Sequence, residues 1–340
     1  MSRTPREKIL RILEMRNDDG VAFWTGNPHA DTYAAYLDRI GGSEKEDLFR
    51  HLGDECRWIP ADEGYRHPEG KPLFDPYRGA RRESLNQPGC FAECESVAEI
   101  ERYPWPDPAY LDFADVIAEI EAHSSHGVFT GMWSPFFHHV ADFFGMDTYF
   151  VKMYTNPAVV EAVTEKVVDF FVEANTRFFT ALGDRADTFF FGNDFGTQRD
   201  LILSPEAFGR FVLPSLRRLI DMAKRFGKKV IIHSCGSIYR VIPLLLDAGI
   251  DGLHPLQARA RFMDAEYLAK NYRDHLAFIG GVDTQELLIR MTPAQIKEEV
   301  RRLRGLFGRN YIVSPSHEAI LPNVPFENVV AMSEAAHEPN

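Results

Sequence analysis

Cysteine is scarce in this chain, with four among 340 residues, too few for a disulfide framework to organise a fold of this size. Cys90 and Cys94 are spaced like half of a zinc ribbon, but no second pair follows at ribbon distance, so they are read as unrelated loop or helix thiols. Positive charge is also short: the formal net charge of -12 at pH 7 excludes a generic nucleic-acid or anionic-membrane binder, which needs a cationic face. No apolar run is long enough to cross a bilayer. The stretch from Met1 to Met15 is charged throughout, unlike a secretory signal, which makes the cytoplasm the expected location. No glycine-rich phosphate loop of either standard spacing occurs, so a nucleotide cofactor is not indicated. Solenoid-length repeats and low-complexity segments are absent as well.

What is present is an alternation of short apolar runs and longer amphipathic stretches, the pattern of a parallel sheet wrapped by crossover helices. Five strands are expected at Asp187–Asn193, Lys229–His233, Gly252–Pro255, Leu276–Gly280 and Tyr311–Ser314, each followed by Gly, Pro, Asp or Ser. Three weaker ones, Val21–Trp24, Cys56–Ile59 and Val128–Met132, bring the count to eight, the number that closes a (β/α)8 barrel. Helix starts are expected at Asn156-Pro157, Ser204-Pro205 and Thr292-Pro293, where a capping residue precedes a proline. Behind the first of these, Val160, Val163, Val167, Phe171, Ala174 and Phe178 form one apolar face that belongs against the sheet. The Pro-, Gly- and charge-rich interval 61–107 is expected to be an irregular insertion within a single domain spanning 1–340, serving as a lid or an interface.

Barrel enzymes carry their chemistry at the carboxyl ends of the strands, and there the polar residues gather. His233 and Cys235 lie two apart at a strand end, so both side chains can point into the mouth and take adjacent corners of a tetrahedral zinc. Taken alone, the pair also fits a hydrogen-bonded core histidine and a buried thiol. Asp194 follows a strongly apolar strand and is a candidate general acid or base, or else a loop cap. Asn27, His29, Gln257 and Asp283 leave other strands as candidate substrate or supporting groups. His138 and His139 follow the third strand, and as neighbours on a loop at most one is expected to enter the pocket.

The run from His233-Ser-Cys-Gly236 to His254-Pro-Leu-Gln257 resembles the uroporphyrinogen decarboxylase superfamily. So do Phe278-Ile-Gly-Gly-Val-Asp-Thr-Gln285 and Ser314-Pro-Ser-His317 with Pro325-Phe-Glu-Asn328, and the likeness runs roughly from 125 to 336. It implies one (β/α)8 barrel and either of two chemistries: cofactor-free decarboxylation of a porphyrinogen, or zinc-assisted methyl transfer to or from a corrinoid on a separate protein. The decarboxylase branch carries an Arg-Gln-Ala-Gly-Arg motif after the first strand. Here that stretch reads Trp24-Thr-Gly-Asn-Pro-His29, without the cationic clamp an octacarboxylate needs. Arg57, Arg66, Arg78, Arg81 and Arg82 are the possible substitutes. The methyltransferase branch is the closer likeness, because its zinc ligands begin with a His-x-Cys pair at a strand end. Its usual third ligand is a cysteine on the last strand; the matching segment here offers His317, with Glu318 or Asp194 available for a fourth position. The expectation is therefore a methyltransferase holding zinc through His233, Cys235 and His317, with Asp194 and Glu318 as catalytic carboxyls and a corrinoid protein as partner. The alternatives are a decarboxylase in which Asp194 stabilises a protonated pyrrole, and a non-catalytic binding protein.

Overall fold

The computed structural model describes residues 3–339. Eight short parallel strands alternate with helices: β1 (Ala22–Phe23), β2 (Cys56–Pro60), β3 (Gly127–Gly131), β4 (Thr188–Gly192), β5 (Lys229–His233), β6 (Gly252–His254), β7 (Ala277–Val282) and β8 (Tyr311–Pro315). Six of them form one ladder in the order β1-β8-β7-β6-β5-β4, and β2 pairs with β3. Two seams remain, and hydrogen bonds outside the ladders close them. At β1/β2, the amide of Glu55 donates to Phe23 O, that of Phe23 to Glu55 Oε2, and that of Thr25 to Asp54 Oδ2. At β3/β4, Thr188 Oγ1 donates to Val128 O and the Gly192 amide to Trp133 O. The result is a (β/α)8 barrel.

Most strand ends fall within one residue of expectation. β1 is only two residues long, although the Trp24 amide continues its bonding to Val313 O, and β7 runs on to Val282, two residues beyond the expected end. The inner face follows the period-two alternation of strands: Ala22 and Trp24, Phe129, Phe190, Ile231, Ala277 and Ile279, and Ile312 form one buried cluster. Below it, α1 (Pro5–Leu13) plugs the barrel with Ile9, Ile12 and Leu13, which belong to that same cluster. Its start is set by a capping box between Thr4 and Glu7. A Cβ at Gly127 would lie 2.5 Å from Ile9 Cγ1, so β3 can begin beside the plug only with glycine.

Outward-facing strand residues pack against the helices in a second, larger cluster. The helix Pro157–Leu182 buries the whole expected stripe from Val160 to Phe178, and its Asn175 accepts from the Met132 amide and donates to Ser134 Oγ, fixing the exit from β3. Ser204 and Thr292 cap their helices as expected. Asn156 does not: its side-chain amide donates to Glu95 instead, tying the helix to the insertion. The insertion itself contains little regular structure beyond the short helix Val97–Glu101. Its Phe91, Tyr103 and Trp105 pack on Phe143, on the flank of the barrel.

Candidate active site at the carboxyl ends of the strands

Because Ile231 faces the barrel interior, the alternation carries His233 and then Cys235 to the same side, at the mouth. Cys235 is held there by the loops around it. Its amide donates to Asp194 Oδ1 at 2.8 Å, and the Gly236 amide donates to Gln257 Oε1 at 2.5 Å. Gly236 has φ +85°, and a Cβ there would stand 2.3 Å from Gly196 C, so the loops after β4 and β5 touch backbone to backbone. Asp194 is thereby set 3.4 Å from His233 Nε2, while Cys235 Sγ lies 3.5 Å from the same nitrogen.

From the other side of the mouth comes the loop after β8. The Asn27 amide donates to Glu318 O, and Glu318 Oε2 sits 3.9 Å from His233 Nδ1 and 3.5 Å from His317 Nδ1. That carboxylate oxygen is buried and has no hydrogen-bond partner. Donor atoms of Asp194, His233 and Cys235 lie within 4.8 Å of one another, as do those of Cys235, His317 and Glu318. The expected ligand set of His233, Cys235 and His317 is thus divided between two trios that share Cys235.

Electrostatics sort these groups. Burial opposes charge on Asp194, but its hydrogen bonds with His233 and the Cys235 amide outweigh that and hold the carboxyl well below the usual range. Asp194 is therefore a carboxylate near neutral pH, suited to orienting His233 or holding a cation, and poorly suited to the acid role also considered for it. Burial, then the charges of Asp194 and Glu318, pushes the Cys235 thiol far up. A thiol enclosed by two carboxylates keeps its proton until a cation compensates them.

Geometry distributes the other candidates. His138 belongs to the site, its Nε2 accepting the Asp194 amide at 3.1 Å. His139 does not: its ring packs between Phe74 and Phe171, and desolvation there lowers its pKa to about 4. Exposed His29 accepts from the Asp31 amide as a helix cap. Asp283 pairs with Arg259 and accepts from the amides of Gln285 and Leu287, a turn role that accounts for it locally. Gln257 lines a cleft of about 380 Å³ that reaches His317, and Asn27 lines another of about 480 Å³ beside Trp58. Arg57 lies between inward-facing Cys56 and Trp58, so it points outward, where Glu46 takes its guanidinium. Arg82 pairs with Asp142.

Three features escaped the sequence reading. His254 sits opposite His233 in the β5/β6 register, with their Nδ1 atoms 2.9 Å apart. Asp62, after β2, accepts from the Trp133 amide, and burial raises its carboxyl to about 6. Trp133 in turn forms an aromatic wall with Trp58 and Phe190, against the His233 ring. Only the even spacing from Ile231 through His233, and of Gly252 and His254, hinted that these rings would share the interior.

A (β/α)8 barrel with an acid, thiol and imidazole cluster at its strand ends defines the class, an α/β-barrel protein whose polar cluster lies in its mouth. The uroporphyrinogen decarboxylase (URO-D) family pattern matches residues 94–339, and the chain belongs to that family. A methyltransferase from Methanosarcina mazei shares the fold, with a TM-score of 0.66, 17% identity and 98% of each chain covered. No curated protein matches the sequence. Among the described residues, no helix is long and apolar enough to cross a membrane.

Proposed function

We propose that the protein is a zinc-dependent methyltransferase, moving a methyl group between a small methylated compound or acceptor and a corrinoid carried by a separate protein. The observation that carries this reading is the convergence of two nitrogen, sulfur and oxygen trios on Cys235, with a buried carboxylate oxygen of Glu318 among them that accepts no hydrogen bond. A mixed donor set of this kind suits zinc, and a cation supplies the partner that oxygen lacks. His233 and Cys235 would hold the ion, with Asp194, Glu318 and His317 offering the remaining positions. Zinc bound there supplies Lewis acidity toward a substrate oxygen, nitrogen or sulfur.

The residues of the chain would do the rest. Trp58, Trp133 and Phe190 exclude water on one side of the mouth, and Asp194 and His138 keep the Cys235 loop in place. A corrinoid docked over the mouth would supply the electron pair for the new cobalt–carbon bond when a methyl donor is demethylated, with the departing heteroatom keeping the pair of the broken bond, and the reverse exchange would serve an acceptor. For the decarboxylase alternative, Arg57 and Arg82 are committed to carboxylates elsewhere, which leaves Arg66, in the cleft beside Asn27 and Trp58, as a cation near the mouth. The test is methyl transfer to cob(I)alamin from a panel of O-, N- and S-methyl compounds. Cys235→Ala is expected to lose zinc and activity together, and a variant that keeps full activity without zinc contradicts the proposal.

A further inference from the structure

His254 is an enclosed polar side chain of the barrel interior. It is fully buried, with Trp24 and Phe190 rings 5.1 and 5.3 Å from its own, and its Nε2 has no hydrogen-bond partner. Its one polar contact is Nδ1 to Nδ1 with His233 at 2.9 Å. Between two neutral imidazoles such a contact needs one donor and one acceptor, so the two tautomers are tied to each other.

The two ways of sharing that hydrogen have opposite consequences at the mouth. When His254 donates, the hydrogen of His233 sits on Nε2, facing Asp194 and Cys235, and that nitrogen has no lone pair for a cation. When His233 donates, its Nε2 lone pair faces Asp194 and Cys235, and His254 carries its hydrogen on the partnerless Nε2. The first arrangement leaves no buried N–H unpaired and suits a site without a cation. The second leaves one unpaired and turns a lone pair toward a carboxylate, an arrangement that a cation between His233, Asp194 and Cys235 would stabilise.

We infer that His254 is a positioning residue, whose Nδ1 accepts the Nδ1 hydrogen of His233 and so presents the Nε2 lone pair of His233 to a zinc ion. This inference rests on the zinc reading above and adds the residue that controls it. A phenylalanine fits the aromatic surroundings of His254 but cannot accept that hydrogen. An asparagine places its amide oxygen near the ring Nδ1 position and can.

Zinc affinity by chelator competition, and the visible spectrum after cobalt substitution, test this on wild type, His254→Phe and His254→Asn. His254→Phe is expected to bind about 10–100-fold more weakly with altered cobalt ligand-field bands, and His254→Asn to recover most of the loss. Equal affinity and an unchanged spectrum in His254→Phe overturn the inference, leaving His254 as a space filler and the zinc site intact. If wild type binds no zinc, the zinc reading and this inference fall together, an outcome the wild-type arm reads directly. Should His254→Phe fail to fold, His254→Asn against His254→Gln decides. The glutamine oxygen reaches toward the ring Nε2 position, so Asn is expected to bind zinc more tightly, and equal affinities overturn the inference.

Discussion

Replacing Gly236 by alanine tests whether the contact between the β4 and β5 loops builds the site. The backbone of Gly236 has φ +85°, where a side chain costs about 1–2 kcal/mol. The new Cβ would also stand 2.3 Å from both C and O of Gly196. That neighbour is backbone and cannot rotate away, so the loops must separate, at an overpacking cost of about 1–3 kcal/mol. The expected loss of stability is about 2–5 kcal/mol. Asp194 lies two residues before Gly196 and Cys235 one before Gly236, so the same displacement lengthens the 2.8 Å bond between Cys235 N and Asp194 Oδ1. Zinc affinity is therefore expected to fall with stability. Urea unfolding followed by circular dichroism gives the first quantity, and chelator competition gives the second. Gly209→Ala is the control, because that glycine lies in the helix Pro205–Phe211 with nothing within 4 Å of an added Cβ; it should be neutral or stabilising by up to about 1 kcal/mol. A Gly236→Ala protein within about 0.5 kcal/mol of wild type, with unchanged zinc affinity, refutes the reasoning.

Two further changes probe the scaffold. Asp54→Ala leaves the buried Thr25 and Cys56 amides without their acceptor at the β1/β2 seam, and thermal unfolding should report a loss of about 2–4 kcal/mol; an unmoved midpoint would mean that the seam is closed by other contacts. His139 stays neutral in the folded protein down to about pH 4, whereas the unfolded chain protonates near 6.5, so its contribution to stability is present above 6.5 and is lost as pH falls toward 4. In His139→Phe that part of the acid destabilisation should vanish while zinc content and activity persist, and loss of either would return His139 to the site.

The barrel was legible because its strands are apolar runs ended by Gly, Pro, Asp or Ser, and their number and order survive in the structure. His233 and Cys235 were legible for the same reason, since period-two alternation from an apolar strand places both at one mouth. His254 was not, because its significance comes from cross-strand register with His233, which one strand's pattern does not contain. His29 and Asp283 sit at strand exits as expected but are taken up by local backbone amides, a competition short polar side chains at turns commonly meet. The separation of His138 from His139 depends on which face of the helix Phe136–Phe144 meets Phe74 and Phe171. The plug formed by α1 also escaped, because an amphipathic helix does not announce which end of a barrel it covers.

Zinc content of the protein purified without chelator and equilibrated with zinc tests the central claim most directly. One ion per chain, absent from Cys235→Ala that retains its circular dichroism spectrum, is the predicted result, with nitrogen at about 2.0–2.1 Å and sulfur at about 2.3 Å from the metal by X-ray absorption. A folded wild-type protein that takes up no zinc, or takes it up equally well without the Cys235 thiol, would contradict the account.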